Sequence, residues 1–514
     1  MCKLCDEGRP QAHGSSNPWD ARRGFLKASA VGSAAAGMGL FAQAAQANSA
    51  ERAPEATGRA GRRLLIKGGA VMSMDSKVGD FPTGDVLIEG KKIVAVAPAI
   101  EAGGAAVIDA RGKVVMPGLV DTHHHLFETA LRGYLADGLL FDGLDPAITN
   151  NYFQKILSTF APVYKPEDVY INTLFGSLAQ LDAGVTSVFD VSQIHHSPAH
   201  SDASVQALKD SQRRAVFGYF ESAGGVAGNQ YPADARRIKA QHFSSSDQLV
   251  TMFMGGEIYL PGYETAWSIG RELAIPVACH IVGTFGMRPT FDALATAGAF
   301  GPDNHFIHMT GMSDMAWQKA RDAGASVSLA VPIEMNMRHG TPPIQKALDL
   351  GFQPSLSTDV ECTLTADMFT QMRVAMALQR MFVNGAALGE NGTPPSPQPK
   401  LATVRDALQW ATVNGARDLR VLNKAGSLSP GKEADIIILD ANGWNVAPLN
   451  HVPGTVVSLM ERINVETVLV AGKVRKWKGR MLDADLASLR SQLEASRDGL
   501  FARAGIPKDL FRAP

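Results

Sequence analysis

The chain has 514 residues, with Lys+Arg 49 against Asp+Glu 50, 45% hydrophobic and 19% charged residues, and 4 Cys. A formal net charge of -1 provides no basic field for a phosphate backbone, which argues against nucleic acid as a partner. The apolar fraction is that of a packed protein, four cysteines cannot staple so long a chain, and roughly 150 residues per domain gives about three units or one large α/β barrel with an appendage.

Near the N-terminus, Arg22-Arg23-Gly24-Phe25-Leu26-Lys27 precedes a weakly apolar, Ala- and Gly-rich stretch from Ala28 to Ala45. That order is a twin-arginine export signal. A membrane-spanning helix needs about 20 apolar residues, and this run is too short and too dilute. Ala42-Gln43-Ala44 and Ala45-Gln46-Ala47 are A-x-A cleavage sites. The expectation is a signal over 1–47, a periplasmic or exported destination, the export machinery as partner, and no stable membrane insertion after processing. Cys2 and Cys5 form a C-x-x-C that leaves with this signal, so Cys279 and Cys362 are the cysteines that remain.

Residues 48–62 carry Gly, Ala, Pro and charge without periodicity and read as a linker. β-rich runs follow at 64–74, 85–98 and 106–116, with turns at Gly68-Gly69, Gly90-Lys91-Lys92 and Arg111-Gly112-Lys113. A matching block returns at 434–439 and 465–474. These segments, 63–116 and 425–480, predict one small β-sandwich built from N- and C-terminal strands. Between them, over 117–424, eight short apolar runs alternate with helix-like segments: 114–120, 186–189, 215–220, 249–254, 276–279, 305–308, 326–331 and 354–356. Alternation of this kind gives βαβ units and a parallel sheet, and eight repeats close into a (β/α)8 TIM-like barrel, an α/β fold. Leu482, Leu486, Leu489, Leu493 and Leu500 then mark a helical tail over 481–514.

The most informative stretch is Met116-Pro117-Gly118-Leu119-Val120-Asp121-Thr122-His123-His124-His125-Leu126. It starts as a buried strand and ends in three histidines. Side chains alternate along a strand, so His123 and His125 project to one face and His124 to the other. At the C-terminal end of a barrel strand that face is the mouth, and the H-x-H pair is a chelate for a zinc-like ion. His280, His308 and Asp359 each follow another apolar run and converge on the same mouth.

These motifs resemble the amidohydrolase superfamily, in the branch of cytosine and guanine deaminases and triazine hydrolases. The likeness extends over Pro117–His125, Gly184–Asp190, the His308 segment, Ser357-Thr358-Asp359 and Gly426–Asp435. It implies one divalent ion, Zn2+ before Fe2+, held by His123, His125, His280 and Asp359. It also implies that His308 hydrogen-bonds the attacking water or the substrate and that Asp359 takes a proton from that water. The implied enzyme is a mononuclear metal-dependent hydrolase of non-peptide carbon–nitrogen bonds, an aminohydrolase or cyclic amidase acting on a small, cyclic molecule. Homo-oligomers are common among such relatives.

At one place the sequence departs from that branch. The branch usually carries H-x-x-E at the third histidine, and the glutamate moves a proton onto the substrate ring. Here Cys279-His280-Ile281-Val282-Gly283-Thr284 puts Gly283 in its position. Glu334 and Glu361 are the carboxylates expected at the mouth, with Glu334 favoured as a catalytic replacement. His195, His196 and His200 follow the second strand, and His195 is expected to touch the substrate. Met335, Met337, Met368, Phe369 and Met372 fit either an apolar pocket or the core. Cys279 should point into the helix layer and Cys362 toward the mouth, unpaired. A metal-dependent dehalogenase or decarboxylase on the same barrel is the alternative, followed by a non-catalytic periplasmic binding protein. The H-x-E and P-C-x-x-C segments of the zinc deaminases that flip nucleobases are absent.

Overall fold

The computed structural model describes residues 52–141, 150–223, 225–226, 228–388, 392 and 400–511. The export signal read over 1–47, with Cys2 and Cys5, lies outside the described residues. The three N-terminal β-rich runs form five strands: β1 (Arg63–Met72), β2 (Asp80–Glu89), β3 (Lys92–Ala97), β4 (Ala106–Asp109) and β5 (Lys113–Pro117). The chain reverses at Gly90-Lys91 between antiparallel β2 and β3 and turns without reversing at Arg111-Gly112, since β4 and β5 both run parallel to β1; Gly90 and Gly112 have positive φ of 55° and 72°.

The run at 114–120 is two strands, not one. After β5 the chain passes Gly118 and enters β6 (Leu119–His124), which belongs to a different sheet. A Cβ at Gly118 would collide with the side chain of Thr186, so glycine is needed where the chain changes sheets. β6 is followed by β7 (Val185–Ser192), β8 (Arg214–Tyr219), β9 (Val250–Gly255), β10 (Val277–Ile281), β11 (Asn304–His308), β12 (Ser326–Leu329) and β13 (Ser355–Leu356). These eight strands lie in sequence order and pair in parallel. Parallel strands buried on both faces require the continuous apolar runs seen in the sequence. The seventh run was expected to reach Val331, but Val331 opens a short helix, Val331–Asn336.

The sheet closes between its first and last strands. Asp359 N donates to His123 O at 3.0 Å, and His125 N donates to Asp359 O at 3.0 Å. Thr122 Oγ1 donates to Leu356 O at 2.9 Å. The terminal segments meet in one continuous nine-stranded mixed sheet. Its C-terminal strands are β14 (Ile436–Asp440), β15 (Val465–Val470), β16 (Lys473–Trp477) and β17 (Arg480–Met481), and β14 pairs antiparallel with β5. The tail forms helix Leu486–Ala504, which buries Ser496, Leu500 and Phe501. Among the described residues no helix is long and apolar enough to cross a membrane.

The Gly426–Asp435 segment has a structural use. Arg214, at the start of β8 and 2% exposed, reaches Asp435 Oδ2 through Nε and Glu433 Oε2 through Nη2, both at 2.8 Å. Asp435 Oδ1 also accepts from Ala471 N at 2.8 Å. This buried ion cluster fastens the barrel wall to the terminal sheet. Removing one partner from such a cluster leaves an uncompensated buried charge. Asp435→Ala should therefore lower unfolding stability by about 3–5 kcal/mol in urea titrations.

Candidate metal centre

The strand ends deliver the histidines to one point. His123 in β6, His125 just past it, His280 in β10, His308 at the end of β11 and Asp359 beyond β13 all reach the mouth of the barrel. His123 Nε2 lies 2.9 Å from His125 Nε2 and 3.0 Å from His280 Nε2. Asp359 Oδ1 is 3.6 Å from Nε2 of both His123 and His125. Ligands spaced tetrahedrally at zinc distances stand about 3.3 Å apart, and the observed spacings bracket that value. His124 points the other way, with Nδ1 at 3.0 Å from Thr358 Oγ1.

Burial makes this cluster a lone-pair donor set. It holds His123 and His125 well below the ordinary imidazole range and pushes Asp359 up to about 7. Neutral imidazoles with converging nitrogens are the form that binds a divalent cation. Burial also lowers His280, but the carboxylates around it, Glu257 foremost with Asp359 and Glu221, together leave it raised. His280 Nδ1 donates to Glu257 Oε1 at 2.6 Å, and His308 Nδ1 donates to Glu334 Oε1 at 3.0 Å. Carboxylates behind imidazoles fix the tautomer and turn Nε2 toward the site. His308 Nε2 is 3.5 Å from Asp359 Oδ2.

Two residues of the cluster have left-handed backbones: φ is 71° at His308 and 62° at Asp359. Such conformations are unfavourable for residues with a Cβ and concentrate at functional sites.

Above the cluster lies a cavity of about 590 Å³. Leu140, Phe141, Phe153, Leu157, Phe285 and Met337 form its apolar wall, and His125, His280, His308 and Asp359 also line it. Its other polar lining groups include Tyr152, Gln193, Tyr259, Thr284 and His339. Tyr152 donates its hydroxyl to buried Glu128, whose carboxyl burial pushes up to about 8. Tyr259 and Gln193 donate to Glu221, each at 2.7 Å.

The chain matches the model for "Amidohydrolase family" over residues 114–259 and 284–475. It belongs to the amidohydrolase family. It is a hydrolase of carbon–nitrogen bonds other than peptide bonds. A 5'-deoxyadenosine deaminase of Methanosarcina mazei is 28% identical over 456 residues, covering 86% of this chain and 99% of the relative. A 5-methylthioadenosine/S-adenosylhomocysteine deaminase of Symbiobacterium thermophilum is 27% identical over 76% of this chain and 87% of the relative. Among solved structures, an adenosine deaminase from Xanthomonas campestris with bound zinc superposes with a TM-score of 0.73 at 23% identity, covering 86% of this chain and 100% of that one. The zinc complex of an atrazine chlorohydrolase from Arthrobacter aurescens gives 0.67 at 20% identity, covering 84% and 100%. The break in the amidohydrolase match, 260–283, contains His280 and Gly283.

Other sequence expectations meet different geometry. Glu334 is fully buried behind His308 and does not line the cavity, so its place is that of a positioning carboxylate instead of a proton shuttle facing substrate. Glu361 pairs with Arg132 Nη2 at 2.7 Å. His195 is 1% exposed and its nitrogens are spent on Ser201 Oγ and Ser192 O at 2.9 and 2.8 Å. It is absent from the cavity lining, and Gln193 takes that position. His196 and His200 likewise bond Ala161 O and Tyr164 O. Met337 lines the cavity, Met368, Phe369 and Met372 are core, and Met335 is half exposed. Cys279 and Cys362 are buried free thiols.

Sequence reasoning missed Glu257, Glu221, Glu128, Tyr152 and His339. Glu221 and Glu257 had the same signal as the histidines, a polar residue just after an apolar run. Because Glu257 orients His280, Glu257→Gln should weaken divalent-metal binding by about 10–100-fold in competition with a chromophoric chelator, without changing the far-ultraviolet circular dichroism.

Proposed function

We propose that this chain is a mononuclear zinc hydrolase, with Fe2+ as the alternative metal, acting on a small and largely apolar cyclic amide or amino-substituted heterocycle. The observation that carries this reading is the convergence of three histidine Nε2 atoms and Asp359 Oδ1 on the floor of an apolar cavity. His123, His125, His280 and Asp359 would hold the ion. When bound, an ion of this type lowers the pKa of a coordinated water toward about 7.

The protein's own groups do the rest. Asp359 accepts the proton released by the attacking water and returns it to the departing nitrogen, a task suited to a carboxylate whose Oδ2 faces His308 at 3.5 Å. His308, fixed by Glu334, faces Asp359 and hydrogen-bonds the attacking water or the developing oxyanion. The wall of Leu140, Phe141, Phe153 and Phe285 excludes bulk water and holds a ring by its faces. With Gly283 in the position of the usual glutamate, rings needing no carboxylate donor there are favoured. The deaminases among the relatives support attack at a ring carbon bearing nitrogen. The Arg22-Arg23 motif supports twin-arginine export to the periplasm.

A panel of cyclic amides, aminopyrimidines, adenine nucleosides including 5'-deoxyadenosine, and chlorotriazines tests the reaction class. Ammonia release or a ring-opened product by mass spectrometry is expected from the nitrogen compounds. Turnover confined to chlorotriazines with chloride release would contradict it. For export, replacing Arg22 and Arg23 by Lys should leave the precursor in the cytoplasm, whereas unchanged export would refute the signal.

A further inference from the structure

The backbone around Gly283 closes the space a longer side chain would need. A Cβ there would stand 3.1 Å from Thr310 O and 3.3 Å from Gly311 Cα. Gly283 N donates to Thr310 Oγ1 at 3.3 Å, and that hydroxyl donates to His339 O at 2.7 Å. Thr284 Oγ1 donates to Arg338 O at 2.6 Å. The segment following helix Val331–Asn336 is therefore laced to the Gly283 turn, and it carries His339 into the cavity lining.

His339 is 3% exposed, and neither of its ring nitrogens has a hydrogen-bond partner among the described residues. Its ring stands edge-on to His308 with centroids 4.7 Å apart. One nitrogen each from His308 and His339 and an oxygen of Asp359 lie within 4.8 Å of one another. A buried polar side chain left unpartnered is costly, and a ligand edge that satisfies it recovers that cost. Among the described lining residues there is no Lys, Arg or Glu, and the one carboxylate, Asp359, is a ligand of the proposed ion, so away from the metal centre the cavity offers a charged ligand no counter-ion and favours a neutral one.

We propose that His339 stands in for the carboxylate missing at Gly283 and hydrogen-bonds the substrate ring beside the reacting carbon. This rests on the hydrolase reading above and narrows it. A given nitrogen of a neutral imidazole donates in one tautomer and accepts in the other, so the matching substrate is a neutral ring whose N–C=O edge presents both an acceptor and a donor, a lactam.

The test uses the zinc-loaded full chain and isoquinolin-1-one, a neutral aromatic lactam, in calorimetric titrations. Wild type should bind the probe. His339→Ala should weaken binding about tenfold, and His339→Gln, which keeps one donor and one acceptor, should stay within about threefold of wild type. Zinc content and thermal unfolding should be the same in all three. Equal affinity in all three, or no binding by wild type, overturns the proposal. So does a second zinc ion in wild type that His339→Ala removes, since His339 would then be a ligand. Zinc content of wild type and turnover of the substrate panel decide the hydrolase reading independently of the probe.

Discussion

The hydrogen bonds that close the barrel are made by residues of the candidate metal centre. Asp359 donates its N–H to His123 O and accepts from His125 N, so the seam between the first and last strands is also the floor of the site. A parallel sheet of eight strands has two open edges until this seam forms, and open edges are unsatisfied backbone. Closure thus fixes the H-x-H pair and Asp359 relative to each other through their own backbone groups. The left-handed conformation at Asp359, φ 62°, is the local cost, of order 1–3 kcal/mol.

Desolvation governs the chemistry built on that seam. Several imidazoles and a carboxylate buried together would be unfavourable as bare charges, so His123, His125 and His308 stay neutral and Asp359 is pushed up to about 7, while neighbouring carboxylates hold His280 raised. A divalent ion held by His123, His125, His280 and Asp359 would reverse this by giving the lone pairs a common partner. Glu257 and Glu334 stand one layer back and set the direction of His280 and His308. The cavity above is apolar where a ring would lie and polar only at its edges. Position 283 is closed by backbone, so whatever polar group meets the ring must come from elsewhere.

Much of this was legible in the sequence because it follows from simple periodicities. Alternation along β6 separates His123 and His125 from His124, and the strand-end rule gathers His280, His308 and Asp359. The eight apolar runs map onto the eight barrel strands, although Gly118 divides the first between two sheets. What could not be read depends on loop paths. His195 carries the right side chain in the right segment, but Ser201 and Ser192 O occupy its nitrogens. Glu334 follows the seventh strand, yet a short helix turns it behind His308 instead of into the cavity. His339 sits in a segment with no periodicity, and the Thr310 and Thr284 hydrogen bonds bring it beside Gly283.

Elemental analysis of the folded chain purified without chelators tests the central claim most directly. Four protein ligands at one point predict about one zinc or iron per chain, lost on Asp359→Ala with the fold retained. A chain that folds and turns over substrate with no bound divalent metal would contradict it.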